Sequence, residues 1–363
     1  MPGPPPFRTD EENDTVNDTA FQIPTEMRVS VLSAPGEIHV EHRPVPRPGP
    51  HDVLIRIASV GVCGSDTHYF EHGRVGSFVV EHPLVLGHEP SGTVVAVGSE
   101  VTDRHPGQRV SLEPGVPSAF SPETLGGHYN LDPAVRFFAT PPVDGVFSEY
   151  AVHPAAFAHP VPDSVSDDAA ALLEPLSVAV SAVRAANVTL GDRVLVSGAG
   201  PVGLLAARCA RLAGAVSVVV TDTREDRLRV AEAYGATDTF TVASAPPDTA
   251  PFPGSGYTAL VDASGAEAAI LTGMRRLAPR GRIVLVGMGS DTLSVPVPLL
   301  QERELQLTGI FRYANTWPTA IALAASGDVD LDALVTSRHT LGEVPAALTA
   351  GTSPGALKAI VTP

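Results

Sequence analysis

Val194-Leu-Val-Ser-Gly198-Ala-Gly200-Pro-Val-Gly203 decides the fold of the second half of this 363-residue chain. An aliphatic run leads into Gly-x-Gly-x-x-Gly, and an Ala/Leu/Arg-rich stretch, residues 201–212, follows. Strand, tight turn and helix in that order are the setting a dinucleotide-binding loop requires. Gly198 makes the turn, Gly200 lets backbone approach a pyrophosphate, and Gly203 lets the helix pack on its strand. The phosphates then face unpaired amides at the positive end of the helix dipole. Asp222 ends a valine run 19 residues after Gly203. An acid there accepts hydrogen bonds from an adenosine ribose and repels a 2′-phosphate, so NAD is favoured over NADP. Arg224 and Arg227 soften that preference, and Arg227 alternatively covers the adenine side.

From about residue 182 to 310, strand-like runs (194–197, 218–222, 259–262, 282–286) alternate with helical ones (201–212, 224–234, 266–277). That alternation predicts a doubly wound parallel sheet of the Rossmann type. The segment Val286-Gly287-Met288 ends a later strand, where the nicotinamide is expected. Residues 243–256 read as a Pro-rich surface loop. From residue 27 to about 180 the texture is short β runs punctuated by Gly and Pro, which predicts a barrel-like module. The chain from Phe311 is expected to return to that module. Residues 1–26, rich in Pro, Asp, Glu, Asn and Thr, read as a disordered tail.

A second cluster of chemistry lies upstream. Gly61-Val-Cys63-Gly-Ser65-Asp66-Thr-His68-Tyr69 is followed by Gly87-His88-Glu89 and, later, by Ala171-Leu-Leu-Glu174-Pro-Leu. Cys63, His88 and a carboxylate would form a three-ligand metal site with one open position. Glu89 and Glu174 both remain candidates for the carboxylate. Adjacent residues on a regular strand point to opposite faces, so His88 and Glu89 converge only through a bend. Dinucleotide and metal sites together specify metal-assisted hydride transfer between an alcohol and a nicotinamide.

Composition narrows the classes. The net charge of -16 argues against nucleic-acid binding, which needs clustered Lys and Arg. Two cysteines, Cys63 and Cys209, exclude a disulfide framework and a four-cysteine zinc site. No apolar run approaches the ~20 residues of a membrane span. The N-terminal stretch lacks a signal-peptide pattern, so a cytoplasmic location is expected.

These motifs, with Leu112-Glu-Pro-Gly-Val-Pro, His128-Tyr-Asn-Leu, Phe137-Phe-Ala-Thr-Pro-Pro and Phe311-Arg-Tyr-Ala-Asn-Thr-Trp317-Pro, resemble the zinc-dependent medium-chain dehydrogenases over residues 27–362. The polyol (sorbitol, xylitol) branch is the nearest in pattern. The resemblance implies a GroES-like β-barrel catalytic domain (residues 27–181 and 311–363) plus a Rossmann NAD-binding domain (182–310). It implies one zinc on Cys63, His88 and Glu89, with Glu174 contacting the zinc-bound water or replacing Glu89. It places Ser65, Tyr69, Phe138, Thr140, Glu174, Arg312 and Tyr313 along a polyol pocket. For the chemistry read above, the proton is expected to leave through water, Ser65 or Glu174, with His68 as a further relay. NAD contacts fall to Gly198, Gly200, Val202, Gly203, Asp222, Arg227, Val286, Gly287, Met288, Phe311 and Arg312. A homo-oligomer, a tetramer by resemblance, is expected, with a small polyol as the only other partner. Many relatives carry a second, structural zinc on four cysteines in the lobe at about residues 111–140; this chain has none there, and packing must hold the lobe. Competing readings are the same chemistry on a cyclitol or aminocyclitol, a non-catalytic NAD-binding protein of this fold, and a zinc-free NADPH quinone reductase. The last is disfavoured by Cys63, His88 and Asp222.

Overall fold

A computed structural model describes residues 21–242, 254–289 and 291–363. Six parallel strands form one sheet, in the spatial order Asp238–Thr241, Ser217–Asp222, Arg193–Ser197, Tyr257–Asp262, Leu277–Leu285, Gln306–Gly309. Numbered along the chain this is 3-2-1-4-5-6, the doubly wound dinucleotide-binding order. The strand order reverses between Arg193–Ser197 and Tyr257–Asp262, which opens a crevice where Gly198 and Ala263 sit. Helices Pro201–Leu212, Glu225–Ala231 and Glu267–Arg276 cover the sheet. The fourth-to-fifth crossover ends sooner than the sequence pattern predicts. Leu277–Leu285 is already strand, because Leu277 pairs with Tyr257 before a register shift.

The first half builds around the strand Asp52–Gly61. One edge pairs with Glu89–Val97; the other pairs first with Tyr150–Pro154 and then with the C-terminal strand Lys358–Thr362. A three-stranded sheet, Glu37–Pro44, Glu26–Ala34 and Leu84–Val85, lies beside it. Ile55, Val94, Leu112 and Phe147 form its dry centre. Another core runs from Val194, Val196 and Leu204 through Leu173 and Leu176 to Trp317 and Ile360, so the two halves share buried apolar contacts. The helix Leu173–Ala185 packs on both Pro201–Leu212 and Trp317–Ala325.

Residues 1–20 of the expected tail and 243–253 of the expected loop lie outside the described residues. Residues 21–26 of that tail differ from expectation. Glu26 begins a strand, the Thr25 carbonyl accepts from Val45, and Arg56 lies 5.2 Å above the Phe21 ring. Apolar Phe21 and the backbone pairing of Thr25 outweigh the polar composition of the stretch.

Candidate active site

The strand Asp52–Gly61 delivers Cys63 to the start of the helix Gly64–His72. Asp66, in its first turn, is fully buried and accepts from the amides of Cys63 and Gly87, each at 3.0 Å. Its carboxylate also faces His88 Nδ1 at 3.4 Å. One side chain thus ties the Cys63 loop to the His88 loop and leaves His88 Nε2 for a metal, the usual carboxylate–histidine support. Burial alone would lower the pKa of His88, but Asp66 and Cys63 outweigh it and raise it well above 6.5. Surroundings that draw a proton to the imidazole also favour a divalent cation.

Gly87 takes a left-handed φ of +88°, and His88 precedes the strand Glu89–Val97 rather than lying within it. That bend lets the two neighbours converge. Donor atoms of Cys63, His88 and Glu89 all lie within 4.8 Å of one another. A thiolate, an imidazole and a carboxylate fit zinc, with room for a fourth ligand. Glu89 is held from behind by Lys358, whose Nζ lies 2.7 Å from both carboxylate oxygens and donates to the Val62 carbonyl at 2.9 Å. A Cβ at Gly61 would fall 2.0 Å from Glu89 Oε2, so only glycine leaves space for this carboxylate.

The motifs read from the sequence do not include Lys358. Its signal was nonetheless there, since it is the only lysine in the chain and stands in the apolar run Leu357-Lys-Ala-Ile-Val361. A charge in such a run is seldom buried without a partner. Asp66 and Phe137 stand inside the quoted motifs, but their supporting roles show only in the structure. Phe137 carries the Arg312 guanidinium 3.6 Å above its ring and packs against His88.

A cleft of about 520 Å³ runs from this cluster to the glycine loop, within the range for small-molecule sites. Ser65 and His68, one turn apart on the helix Gly64–His72, both line it, with His68 exposed and packed toward His72. Tyr69, Phe138 and Thr140 line another wall of the cleft, and Arg312 Nη2 donates to Thr140 Oγ1 at 3.1 Å. Burial pushes the Tyr69 hydroxyl up to about 12 and pulls Arg312 down to about 10, so tyrosine stays neutral and arginine charged near pH 7. Arg312 adopts φ +58°, which turns its side chain back over Phe137 and Phe311.

Glu174 lies in the first turn of Leu173–Ala185, 5% exposed, and burial pushes its carboxyl up to about 7. Tyr313, expected on the pocket wall, instead sits behind Glu174: it is 2% exposed and its hydroxyl donates to Glu174 Oε1 at 2.8 Å. The helix Trp317–Ala325 anchors that segment from the core side and draws Tyr313 inward against Trp317.

At the other end, Gly200, Val202, Gly203, Arg227, Val286, Gly287, Met288 and Phe311 line the same cleft. Gly198 takes φ +97°, and a Cβ on Gly203 would lie 1.9 Å from the Gly198 carbonyl oxygen. A Cβ on Gly200 would meet nothing within 4 Å, so that face is open to a ligand. Asp222 stands beside the loop, accepting from the amides of Ala199 (2.6 Å) and Arg224 (2.8 Å).

A dinucleotide loop and a thiolate–imidazole–carboxylate cluster in one cleft define a metal-assisted, nicotinamide-dependent dehydrogenase. Residues 49–163 match the alcohol dehydrogenase GroES-like domain, and residues 201–326 match zinc-binding dehydrogenase. Sorbitol dehydrogenase of Gallus gallus is 45% identical over 316 residues, covering 86% of this chain and 89% of that protein. Sorbitol dehydrogenase of Homo sapiens is 44% identical over 86% of this chain and 88% of its own length. The solved structure of L-idonate 5-dehydrogenase from Escherichia coli superposes with a TM-score of 0.87 at 27% identity, covering 93% of this chain and 98% of that one. The chain belongs to the zinc-dependent medium-chain dehydrogenases, with a GroES-like domain and a Rossmann domain. It is an oxidoreductase acting on CH–OH donors, with zinc and NAD as cofactors. Among the described residues no helix is long and apolar enough to cross a membrane.

Proposed function

We propose that the chain oxidises a secondary alcohol of a polyol such as sorbitol or xylitol to the ketose, with NAD as acceptor. The observation that carries this reading is one cleft holding the Cys63–His88–Glu89 cluster beside a polar wall of Tyr69, Thr140 and Arg312. Cys63, His88 and Glu89 would hold zinc, with Lys358 keeping Glu89 in place. When bound there, zinc supplies a Lewis acid that lowers the pKa of a substrate hydroxyl. Gly198, Gly200, Val202 and Gly203 would hold NAD, with Asp222 on its adenosine ribose, and the nicotinamide would supply a hydride acceptor. Arg227 covers the adenine side; Val286, Gly287, Met288 and Phe311 border the nicotinamide.

Glu174, poised near neutrality, takes the hydroxyl proton and passes it to water, directly or through Ser65 and His68. Tyr313 positions Glu174. Arg312, Thr140 and Tyr69 bond the remaining hydroxyls, and Phe138 closes the pocket. Such a wall favours polyols over simple alcohols, which offer its polar groups no further hydrogen-bond partners. The same geometry accepts a cyclitol or aminocyclitol, the second reading.

Residues 27–181 with 311–363 form the catalytic domain and 182–310 the NAD domain; the strand Lys358–Thr362 pairing with Asp52–Gly61 supports that division. The protein works in the cytoplasm as a homo-oligomer. Exposed Phe120, Leu125 and Leu131 on the lobe, and the fully exposed edge strand Gln306–Gly309, support self-association.

Initial-rate NADH formation on polyols, cyclitols and simple alcohols, before and after chelation, tests the reading. Oxidation of sorbitol or xylitol that chelation abolishes is expected. Turnover of a cyclitol alone moves the chain to the second reading, and full activity without zinc refutes the chemistry.

A further inference from the structure

We infer that Asp226 is a specificity-determining residue that withholds Arg224 from the cofactor's ribose, so that the chain reads NAD and refuses a 2′-phosphate. The inference rests on the placement of the adenosine ribose at Asp222 proposed above. Arg224 stands two residues after Asp222, and its backbone amide donates to Asp222 Oδ1 at 2.8 Å. An arginine at this distance from the ribose-reading acid is what receives a 2′-phosphate in NADP-dependent relatives of this fold. Here all three guanidinium nitrogens are engaged elsewhere. Nε and Nη2 donate to the Asp226 carboxylate at 3.2 and 2.6 Å. Nη1 donates to the Gly351 carbonyl at 3.0 Å, and Nη2 also to the Ser353 carbonyl at 2.6 Å.

The clasp is reinforced from the other side. Asp226 Oδ2 accepts the Gly355 amide at 2.5 Å, and Arg227 Nη2 donates to the same Gly351 carbonyl at 3.2 Å. Residues 351–355 connect the helix Val344–Thr349 to the strand Lys358–Thr362 of the other sheet, so the clasp bridges the two halves of the molecule. Gly351 and Arg227 both line the cleft, which places the clasp at its rim. Asp222, Asp226, Arg224 and Arg227 carry two charges of each sign. Neither arginine then offers a net positive field to an extra phosphate. Asp222 repels the 2′-phosphate directly, and Asp226 removes the cation that would otherwise compensate.

The test compares wild type, Asp222→Ser, Asp226→Asn, Asp222→Ser/Asp226→Asn, and that double variant with Arg224→Gln added. Asp226→Asn keeps a side-chain oxygen to accept the Gly355 amide, and thermal unfolding midpoints check that each variant folds. The readout is the dissociation constant of NADPH and of NADH by nicotinamide fluorescence, repeated with 2′,5′-ADP by calorimetry. The double variant is expected to bind the 2′-phosphorylated probes roughly tenfold or more tighter than Asp222→Ser alone, the scale of a charge-assisted hydrogen bond. Adding Arg224→Gln is expected to abolish that gain. Equal NADPH affinity in the double variant and Asp222→Ser, or a gain that survives Arg224→Gln, overturns the inference while leaving the ribose on Asp222. A cofactor preference unmoved by Asp222→Ser overturns the ribose placement, and the inference with it.

Discussion

Glu174 is a carboxyl in an apolar helix turn, and its burial sets both a chemical role and a stability cost. Its pKa is raised to about 7 from 4.5. The folded state therefore holds the proton more tightly than the unfolded chain. The stabilisation this gives is full below pH 4.5 and is lost as pH rises through 7. At ~1.36 kcal/mol per pH unit, the loss reaches about 3 kcal/mol above neutrality. Glu174→Gln keeps an acceptor for Tyr313 and carries no charge. In urea titrations of the metal-free protein, it is expected to be more stable than wild type at pH 8 by up to that amount, the advantage vanishing near pH 4.5. An advantage independent of pH would show that Glu174 does not titrate in this range. Lys358 poses the opposite problem, because it and Glu89 are both buried and each is the other's partner. Lys358→Met is expected to destabilise the metal-free protein by about 3–5 kcal/mol, since it strands a buried carboxylate. Lys358→Met/Glu89→Gln should recover most of that loss by the same urea measurement, and added zinc should restore stability to the single variant only.

At the scale of elements, the lobe at residues 113–140 is tied together by a network of polar side chains. Tyr129 donates to Glu113 Oε1 at 2.6 Å and accepts the Asn315 amide at 2.8 Å. His159 reaches Glu113 Oε2 at 2.9 Å, and Asp132 gathers Ser118 and Ala134. Asn130 donates to the Phe311 carbonyl at 2.7 Å, so the lobe also braces the segment that carries Arg312. Tyr129→Phe strands Glu113 Oε1 and the Asn315 amide. It is expected to lower stability by roughly 1–3 kcal/mol in urea unfolding and to raise the polyol KM more than that for NAD. An unchanged polyol KM would disconnect lobe and pocket. The sequence announces the strands and helices around Gly198 because local pattern and tertiary role coincide there. Cys63 and His88 are legible for the same reason, each lying in a short motif with its own glycine. The lobe network is not legible, because Glu113, Tyr129, His159 and Asn315 meet only through folding. The inward turn of Tyr313 is not legible for a related reason: the sequence shows a tyrosine beside Arg312 but not the helix Trp317–Ala325 that draws it in. The convergence of His88 with Glu89 depended on the left-handed Gly87, which a strand pattern does not reveal.

For the whole molecule, the decisive property is that its two sites share a cleft but are set by different strands. Cys63, His88 and Glu89 are set by the strands Asp52–Gly61, Glu89–Val97 and Lys358–Thr362. The glycine loop and Asp222 are set by Arg193–Ser197 and Ser217–Asp222. The two sets meet across the core that joins Leu173 and Trp317 to Val194 and across the clasp of Arg224, Asp226 and Arg227 on residues 351–355. Chelation is therefore expected to remove one zinc per chain, measured by metal analysis, and to abolish polyol oxidation. NADH affinity, read by energy transfer from Trp317, the only tryptophan and fully buried, should change by less than about threefold, because no glycine-loop contact depends on the metal. Trp317 stacks on His159 at 5.6 Å and bonds Ser111, so its emission also reports whether the halves stay docked. Unchanged emission with NADH binding retained would show that the metal serves chemistry alone. A red shift with NADH binding lost would show instead that the cation holds the domains together, and the two sites would have to be treated as one unit.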